Sequence, residues 1–151
     1  MERSAGRRFL GTERANVAFH KPTPAKWYAP RIPQGLIWVA ADRNKPIGFA
    51  SIEPFEDALH LWELAVRLAA QGRGAGTALI EAVADDARAR GLPAVTLTTF
   101  RDLSWNAPFY ARRGFVEVSQ DETRPRLADL REHERSLGLD VSARCAMSLA
   151  L

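Results

Sequence analysis

A glycine-rich turn between a strand pattern and a helix pattern constrains the fold of this chain more than any other feature. Leu59 to Val66 is mostly apolar and contains neither glycine nor proline, which is typical of a short buried strand. The turn Gln71 to Gly76 follows, and from Thr77 to Arg90 apolar residues recur at helical spacing. Gly91 and Pro93 then end the helix. A strand, a tight turn and a helix in this order favour a mixed α/β architecture.

The turn has the chemistry of an anion-binding loop. Glycines let the backbone approach a ligand closely, and the first turn of a helix offers N–H groups to phosphate oxygens. A dinucleotide-binding G-x-G-x-x-G pattern is excluded because neither Gly72 nor Gly74 has a glycine five residues later. A nucleotide P-loop is excluded because Thr77, not lysine, follows Gly76. The spelling that fits is (Q/R)-x-x-G-x-(G/A), beginning at Gln71. A turn that needs glycine only for tight packing is the alternative.

Strand and helix patterns on both sides extend this arrangement into a sheet. Leu36 to Ala41 and Ile47 to Ile52 predict a hairpin, and the strand that opens at Leu59 continues it as an antiparallel meander. Ala94 to Phe100 is β-branched and follows the helix, so the strand–helix–strand order predicts a parallel pair with a right-handed crossover. Later patterns predict helices at 106–114 and 127–137 and strands at 115–118 and 141–149. We expect a mixed sheet of about six strands with helices on both faces.

Length and composition bound the remaining possibilities. The chain has 151 residues, of which 46% are hydrophobic, so we expect a single domain over 1–151, with residues 1–35 irregular because they are rich in proline. The net charge of +3 is mild and dispersed, and neither a long apolar run nor a leader pattern occurs, so we expect no nucleic-acid partner and no membrane association. A single cysteine, Cys145, and no Cys/His cluster at ligand spacing favour a cytoplasmic protein without a metal.

A second element joins the turn in a resemblance to a known family. The run FYARRGF, which begins at Phe109, resembles the (F/L)-Y-x-x-x-G-F element that follows the fifth strand in GNAT-type N-acetyltransferases, and the turn at Gln71 resembles their acetyl-CoA loop. The two stand in the right order, and together they cover about 36–118. The resemblance implies a GNAT-like sheet, splayed at an acetyl-CoA site. It also implies transfer of an acetyl group from acetyl-CoA to a primary amine by direct attack in a ternary complex.

The resemblance assigns chemical roles to three side chains. Tyr110 matches the tyrosine that protonates the leaving thiolate, with a half-buried packing tyrosine as the alternative. His60 falls where several family members carry a base, and an imidazole suits that task. Glu63 is the other candidate base, because a charge within an apolar strand needs a partner or a purpose. A hydrogen-bonded core histidine and a salt-bridged glutamate are the respective alternatives.

The implied coenzyme contacts come mainly from the strand and the turn. Backbone groups of the strand would pair with the pantetheine arm, and amides of the turn would hold the pyrophosphate. Asn106 is a further candidate, although it also suits a helix cap. The implied coenzyme-binding residues are Leu64, Ala65, Val66, Gln71, Gly72, Arg73, Gly74, Ala75, Gly76, Thr77 and Asn106.

The acceptor and the completeness of its site stay open at this stage. The resemblance implies a small-molecule or peptide amine as partner. By analogy with dimers in the family, it also leaves a homodimer open. Residues 1–35 are too few to form the strand and helices with which the family usually opens. The alternative function is therefore a non-catalytic, acyl-CoA-binding or regulatory GNAT-like protein.

Overall fold

The computed structural model describes residues 1–119 and 125–151, and the chain divides into two units. The first consists of Met1–Glu53 and Leu61–Asp86, and the second of Pro54–His60 and Ala87–Leu151. The strand that opens at Leu59 and the helix after the glycine turn therefore contribute residues to both units.

Within the described residues, six strands form one open, mixed sheet in the order β1-β2-β3-β4-β6-β5. The strands are β1 Ile37–Asp42, β2 Lys45–Pro54, β3 Leu59–Val66, β4 Ala94–Phe100, β5 Val116–Glu117 and β6 Arg144–Ala150. Strands β1 and β2 are antiparallel, and β6 is antiparallel to both β4 and β5. The predicted mixed sheet of about six strands is confirmed.

Helices and short turns connect these strands. The α-helices are α1 Glu2–Gly6, α2 Ala25–Tyr28, α3 Ala75–Ala89, α4 Ala107–Ala111 and α5 Pro125–Ser136. Short 3-10 turns occupy Arg7–Phe9, Ala15–Phe19, Ala29–Arg31, Leu68–Ala70 and Val141–Ala143. The last strand begins later than predicted because the turn at 141–143 precedes it. The Asp140 carboxylate caps that turn by accepting a hydrogen bond from the Ser142 N–H at 3.1 Å.

The β1–β2 hairpin belongs to the first unit up to Glu53 and turns at Arg43 and Asn44, whose φ values are 46° and 64°. Two consecutive left-handed residues fit the right-handed twist of a hairpin. Gly48 follows on β2, where a Cβ would lie 3.0 Å from the carbonyl oxygen of Ala65 and 3.1 Å from the Val66 side chain. The hairpin therefore approaches the end of β3 this closely because residue 48 has no side chain.

Residues 1–36 form short helical turns in the first unit, and none of them lies in a strand. Glu2 ties this N-terminal segment together, because its carboxylate accepts hydrogen bonds from the Tyr28 hydroxyl at 2.6 Å and from the Thr23 N–H at 2.8 Å. The Tyr28 ring packs edge-on against Phe49 of β2, with ring centroids 5.3 Å apart. The segment is thereby held against the hairpin without extending the sheet.

The second unit has buried apolar core residues, several of which lie on β4 and β6. Cys145 on β6 belongs to this core, with 1% of its surface exposed, and burial raises the pKa of its thiol. A thiol in such surroundings behaves as a small hydrophobic side chain. Other buried members of the core are Leu59, Val95, Leu97, Phe115, Leu127 and Met147.

Candidate active site

The predicted anion-binding turn joins β3 to α3 within the first unit. Gly72 and Gly74 are exposed and have φ values of 74° and 88°, a left-handed conformation that side chains disfavour. Helix α3 begins at Ala75, and the Ala78 N–H donates to the Gly74 carbonyl at 3.0 Å. The N–H groups of a first helical turn have no acceptor four residues earlier in the helix, and they carry the positive end of its dipole. The turn therefore presents a helix end of the kind that binds anions.

The Gln71 side chain holds the start of this turn in place through two hydrogen bonds. Its Nε2 donates to the carbonyl oxygen of Val66 at 3.0 Å, and its Oε1 accepts a hydrogen bond from Nη1 of Arg8 at 2.6 Å. Arg73, with 67% of its side chain exposed, lies 3.9 Å from the Asp42 carboxylate of the hairpin. The first residue of the motif thus links the strand end to the N-terminal segment, and the arginine of the turn faces a carboxylate.

The predicted coenzyme-binding residues from Leu64 to Thr77 lie together in the first unit, on β3, the turn and the start of α3. Ala65 is buried, whereas Leu64 and Val66 are partly exposed. The strand end is held in place because the Arg67 N–H donates to the carbonyl of Ile47 at 2.8 Å. The backbone on which the strand contacts were predicted is therefore ordered by the hairpin.

Glu63 lies on β3 and is partly exposed. Burial and the hydrogen bond to Glu2 raise the pKa of the Tyr28 phenol, and the nearby charge of Glu63 raises it further. Beside Glu63, the Trp62 indole Nε1 donates to the Glu53 carboxylate at 2.8 Å. In the first unit, the carboxylates of Glu53 and Glu63 therefore lie near the aromatic rings of Trp62 and Tyr28, of which Tyr28 belongs to the N-terminal segment.

His60 is buried in the second unit, with 1% of its surface exposed. Its Nδ1 lies 3.0 Å from Oγ1 of Thr96, which also accepts a hydrogen bond from Nη2 of Arg126 at 3.2 Å. The hydroxyl has one hydrogen and two acceptor sites, so it can pair with Nδ1 as donor or as acceptor while it accepts from Arg126. Burial, followed by the charge of Arg126, lowers the pKa of His60 to about 3, against an opposing effect of Asp57. These features are typical of a hydrogen-bonded core histidine.

We expect the free energy of unfolding to decrease as the pH falls from about 6.5 towards 3, because of His60. An unfolded histidine has a pKa near 6.5, whereas His60 has a pKa of about 3, so the unfolded state binds more protons in this window. The contribution of His60 is therefore complete above pH ~6.5 and decreases by roughly 4 kcal/mol towards pH ~3. Chemical denaturation across this range measures it, and His60→Gln should show a shallower pH dependence. Identical pH dependence in the two proteins would contradict the assignment.

Tyr110 lies on α4, in the FYARRGF run of the second unit, with 9% of its surface exposed. Its ring packs edge-on against Phe109 and Phe115, with centroids 5.1 Å and 5.6 Å away. Asn106 begins the helix through its carbonyl oxygen, which accepts from the N–H groups of Phe109 at 2.8 Å and Tyr110 at 3.1 Å. Gly114, with a φ of 89°, then turns the chain into β5. The run therefore fixes the Tyr110 ring between two phenylalanines.

Two sets of contacts were missed by sequence reasoning. One is the hydrogen bond between Arg8 and Gln71, whose partners are 63 positions apart, and the other joins His60 to Thr96 across 36 positions. Neither local periodicity nor a short motif links residues so far apart. For the contact between His60 and Thr96, the sequence offered one indication. Each of two strands predicted to be buried carries a polar residue at that position.

Two further features concern residues 1–119 and 125–151, namely metal ligands and membrane-spanning helices. Within these ranges, no group of three or more His, Cys, Asp or Glu side chains could hold a metal ion. No helix of the described part of the chain combines the length and apolar character needed to cross a bilayer.

An open mixed sheet with a glycine loop leading into a helix is compatible with the acetyltransferase class, and the comparison of the sequence with known families shows this class. The sequence model of the acetyltransferase (GNAT) family matches residues 7–115, which is more than half of the chain. The chain belongs to the acetyltransferase (GNAT) family. The resemblance predicted from the Gln71 turn and the FYARRGF run is confirmed.

Solved structures show the same fold. The PaiA N-acetyltransferase of Thermoplasma acidophilum, in complex with coenzyme A, matches with a TM-score of 0.70 at 14% identity, over 99% of this chain and 88% of that one. A GCN5-related N-acetyltransferase of Rhodopseudomonas palustris matches with a TM-score of 0.66 at 24% identity, over 99% and 84%. The ribosomal-protein-S18-alanine N-acetyltransferase of Escherichia coli matches with a TM-score of 0.62 at 21% identity, over 86% and 78%. At these identities the likeness concerns the fold.

Proposed function

We propose that this chain transfers an acetyl group from acetyl-CoA to a primary amine of a small molecule or peptide. The observation that carries the proposal is the turn from Gln71 to Gly76, where two left-handed glycines lead into the N-terminus of α3 in a chain of the acetyltransferase family. The similar PaiA structure contains coenzyme A, and the similar E. coli enzyme is named as an N-acetyltransferase of a ribosomal-protein alanine. Both names support acetyl-CoA as donor and an amine as acceptor.

The coenzyme would bind along β3 and the turn. The amides of the first turn of α3, with Arg73 beside them, are suited to the pyrophosphate. The backbone from Leu64 to Val66 would pair with the pantetheine arm as an added strand. A backbone N–H in this strand would polarise the thioester carbonyl, where negative charge develops during attack. Asn106 is proposed as a further contact with the coenzyme.

The chemical step is a direct attack in the ternary complex. The acceptor amine gives up a proton to a base, and its lone pair forms a C–N bond with the thioester carbon. The C–S bond then breaks, and the Tyr110 hydroxyl donates its proton to the departing sulfur. The products are the acetylated amine and free CoA, without a covalent acyl-enzyme.

Glu63 is the base that we favour over His60. Glu63 is partly exposed on the same strand as the proposed coenzyme contacts, so a carboxylate oxygen there can accept a proton directly or through one water. His60 is buried, and its pKa of about 3 makes it a weak proton acceptor. His60 is retained as the second candidate.

The two candidate bases are separated by a pair of neutral amide variants. We expect Glu63→Gln to lower kcat/KM by about 100-fold at neutral pH, whereas His60→Gln is expected to lower it less than about fivefold. Initial rates of CoA release at several pH values measure both variants, with acetyl-CoA titrations to show that coenzyme binding persists. The opposite order of the two effects would transfer the role to His60. Two small effects would exclude both residues.

The proposed function itself is tested by binding and turnover. Calorimetric titration with acetyl-CoA, with NADH and ATP as controls, should show saturable binding of acetyl-CoA alone. A panel of small-molecule and peptide amines is then screened for release of CoA. A folded protein that does not bind acetyl-CoA would overturn the proposal.

The absence of a strand within residues 1–36 favours a second candidate, a non-catalytic acyl-CoA-binding or regulatory protein. In this case the segment that faces the acceptor in family members would have lost its catalytic shape. Tight acetyl-CoA binding without CoA release over the whole amine panel would support this candidate. If any amine is acetylated in a reaction that depends on Tyr110, the non-catalytic candidate is excluded.

A further inference from the structure

We propose that Arg31, in the N-terminal segment, binds a carboxylate carried by the acceptor, so that the preferred acceptor is an amino acid or another amino carboxylate. The inference rests on the proposed function and names the class of acceptor, which that function leaves open. It concerns only the first unit, to which every residue of the argument belongs.

The guanidinium of Arg31 is held in one orientation by Trp27. Its central carbon lies 3.5 Å from the centroid of the Trp27 ring, and its Nη1 donates to the Trp27 carbonyl oxygen at 2.9 Å. The N–H groups of a guanidinium lie in its own plane, so stacking on an aromatic ring does not block their hydrogen bonds. The direction of the Arg31 side chain is therefore set before any ligand binds.

One edge of this guanidinium lacks hydrogen bonds. Within the described residues, the buried Nε of Arg31 has no hydrogen-bond partner. Nη2, on the same edge, is 3.6 Å from Oε2 of Glu53, which is beyond hydrogen-bonding distance. An unpaired buried N–H group costs free energy, and Nε with Nη2 forms a pair of parallel donors that fits the two oxygens of a carboxylate. A ligand carboxylate would supply both missing acceptors.

Glu53 offers a carboxylate beside this edge, but its hydrogen bond goes elsewhere. Its Oε2 accepts from the Trp62 indole at 2.8 Å, and 36% of its side chain is exposed. The charge of Glu53 therefore balances Arg31 without satisfying the N–H groups. A ligand carboxylate that accepts both hydrogen bonds replaces this loose ion pair by a bidentate one, and the Glu53 side chain turns towards solvent.

A chain of contacts leads from Arg31 to the proposed base, Glu63. Arg31 stacks on Trp27, and the Trp27 ring packs edge-on against Tyr28 with centroids 5.0 Å apart. The charge of Glu63 in turn acts on the Tyr28 phenol. An acceptor with its amine at Glu63 and its carboxylate at Arg31 therefore lies along these two rings.

The test compares acceptors that differ only in the carboxylate. Glycine, the L-amino acids and longer ω-amino acids are assayed for CoA release beside the corresponding amides. We expect kcat/KM of the best amino carboxylate to exceed that of its amide by about 20-fold, which is typical of a charge-assisted bidentate pair. The chain length at which this preference is largest reports the distance between the two ends of the acceptor site.

Variants assign the preference to Arg31. Arg31→Gln should reduce it to less than about twofold and leave the Kd of CoA unchanged, whereas Arg7→Gln, the same change in net charge at an exposed position of the same segment, should retain it. Arg31→Lys keeps the charge but cannot make two parallel hydrogen bonds, so about a fifth of the preference should remain. Calorimetric titration with the amino carboxylate in the presence of CoA measures binding without turnover, and thermal unfolding shows that each variant is folded.

The possible failures are distinguishable. Equal kcat/KM for amino carboxylates and their amides, or a preference that survives in folded Arg31→Gln, would overturn this inference alone. A weaker Kd for CoA in Arg31→Gln would assign the residue to the coenzyme and overturn it as well. If the unsubstituted protein does not bind acetyl-CoA or acetylates no amine, the proposed function is overturned and this inference with it.

Discussion

The Tyr110→Phe variant is expected to bind acetyl-CoA as tightly as the unsubstituted protein and to release CoA about 100-fold more slowly. The substitution removes one hydroxyl and keeps the ring, which packs between Phe109 and Phe115. The fold should therefore be preserved while the proposed proton donor to the leaving sulfur is lost. Stopped-time assays of CoA release, performed across the pH range, measure kcat, and the alkaline limb of the profile should vanish with the hydroxyl.

Tyr28→Phe is the matched control, because the chain contains two tyrosines and this substitution removes the other hydroxyl. Tyr28→Phe loses the hydrogen bond to Glu2 and should cost about 1 kcal/mol of stability, yet it should retain the alkaline limb. If kcat of Tyr110→Phe stays within about threefold of the unsubstituted value and the limb persists, Tyr110 serves packing alone.

The second large effect is expected in the glycine turn, where Gly74→Val should weaken acetyl-CoA binding by at least about 100-fold. Gly74 has a φ of 88°, and a β-branched side chain is strongly disfavoured there, so the loop must adopt another path. The amides at the start of α3 would then no longer converge on the pyrophosphate. Calorimetric titration measures the loss of affinity.

Gly91→Val controls for backbone strain, because Gly91 follows the other end of α3 and has a φ of 70°. A comparable loss of stability is expected in both variants, of about 1–3 kcal/mol, while acetyl-CoA affinity should fall only in Gly74→Val. Retained affinity in a folded Gly74→Val protein would show that the turn is structural and does not bind the coenzyme.

Elements with a strong local pattern were predictable from the sequence. The predicted strands from Leu59 to Val66 and from Ala94 to Phe100 match β3 and β4 at both ends, because continuous apolar and β-branched runs are bounded there by clear turn residues. Strand β2 is longer than predicted at both ends. Pro46 lies outside the predicted strand, but it pairs with Ala41 where the register of the hairpin shifts, and a bulge tolerates proline.

The parts of the site that depend on distant partners were not predictable in this way. The family resemblance of its position and its residue type made His60 a candidate base, since an ordinary imidazole titrates near neutral pH. Its burial and the charge of Arg126 lower that pKa to about 3, and both depend on tertiary packing. The docking of Arg8 on Gln71 is likewise set by the path of the N-terminal segment, for which proline-rich sequence carries no periodic signal.

The burial of Cys145 matters for an assay that detects released CoA with a thiol-reactive dye. Thiol-reactive dyes attack thiolates within reach of solvent, and Cys145 is 1% exposed with a raised thiol pKa. The folded protein should therefore react little with the dye, so that the absorbance reports the CoA that is released. Denaturant exposes the chain's single cysteine, so the same reagent would count unfolded molecules one thiol at a time. One dye can thus follow catalysis in native buffer and unfolding in urea.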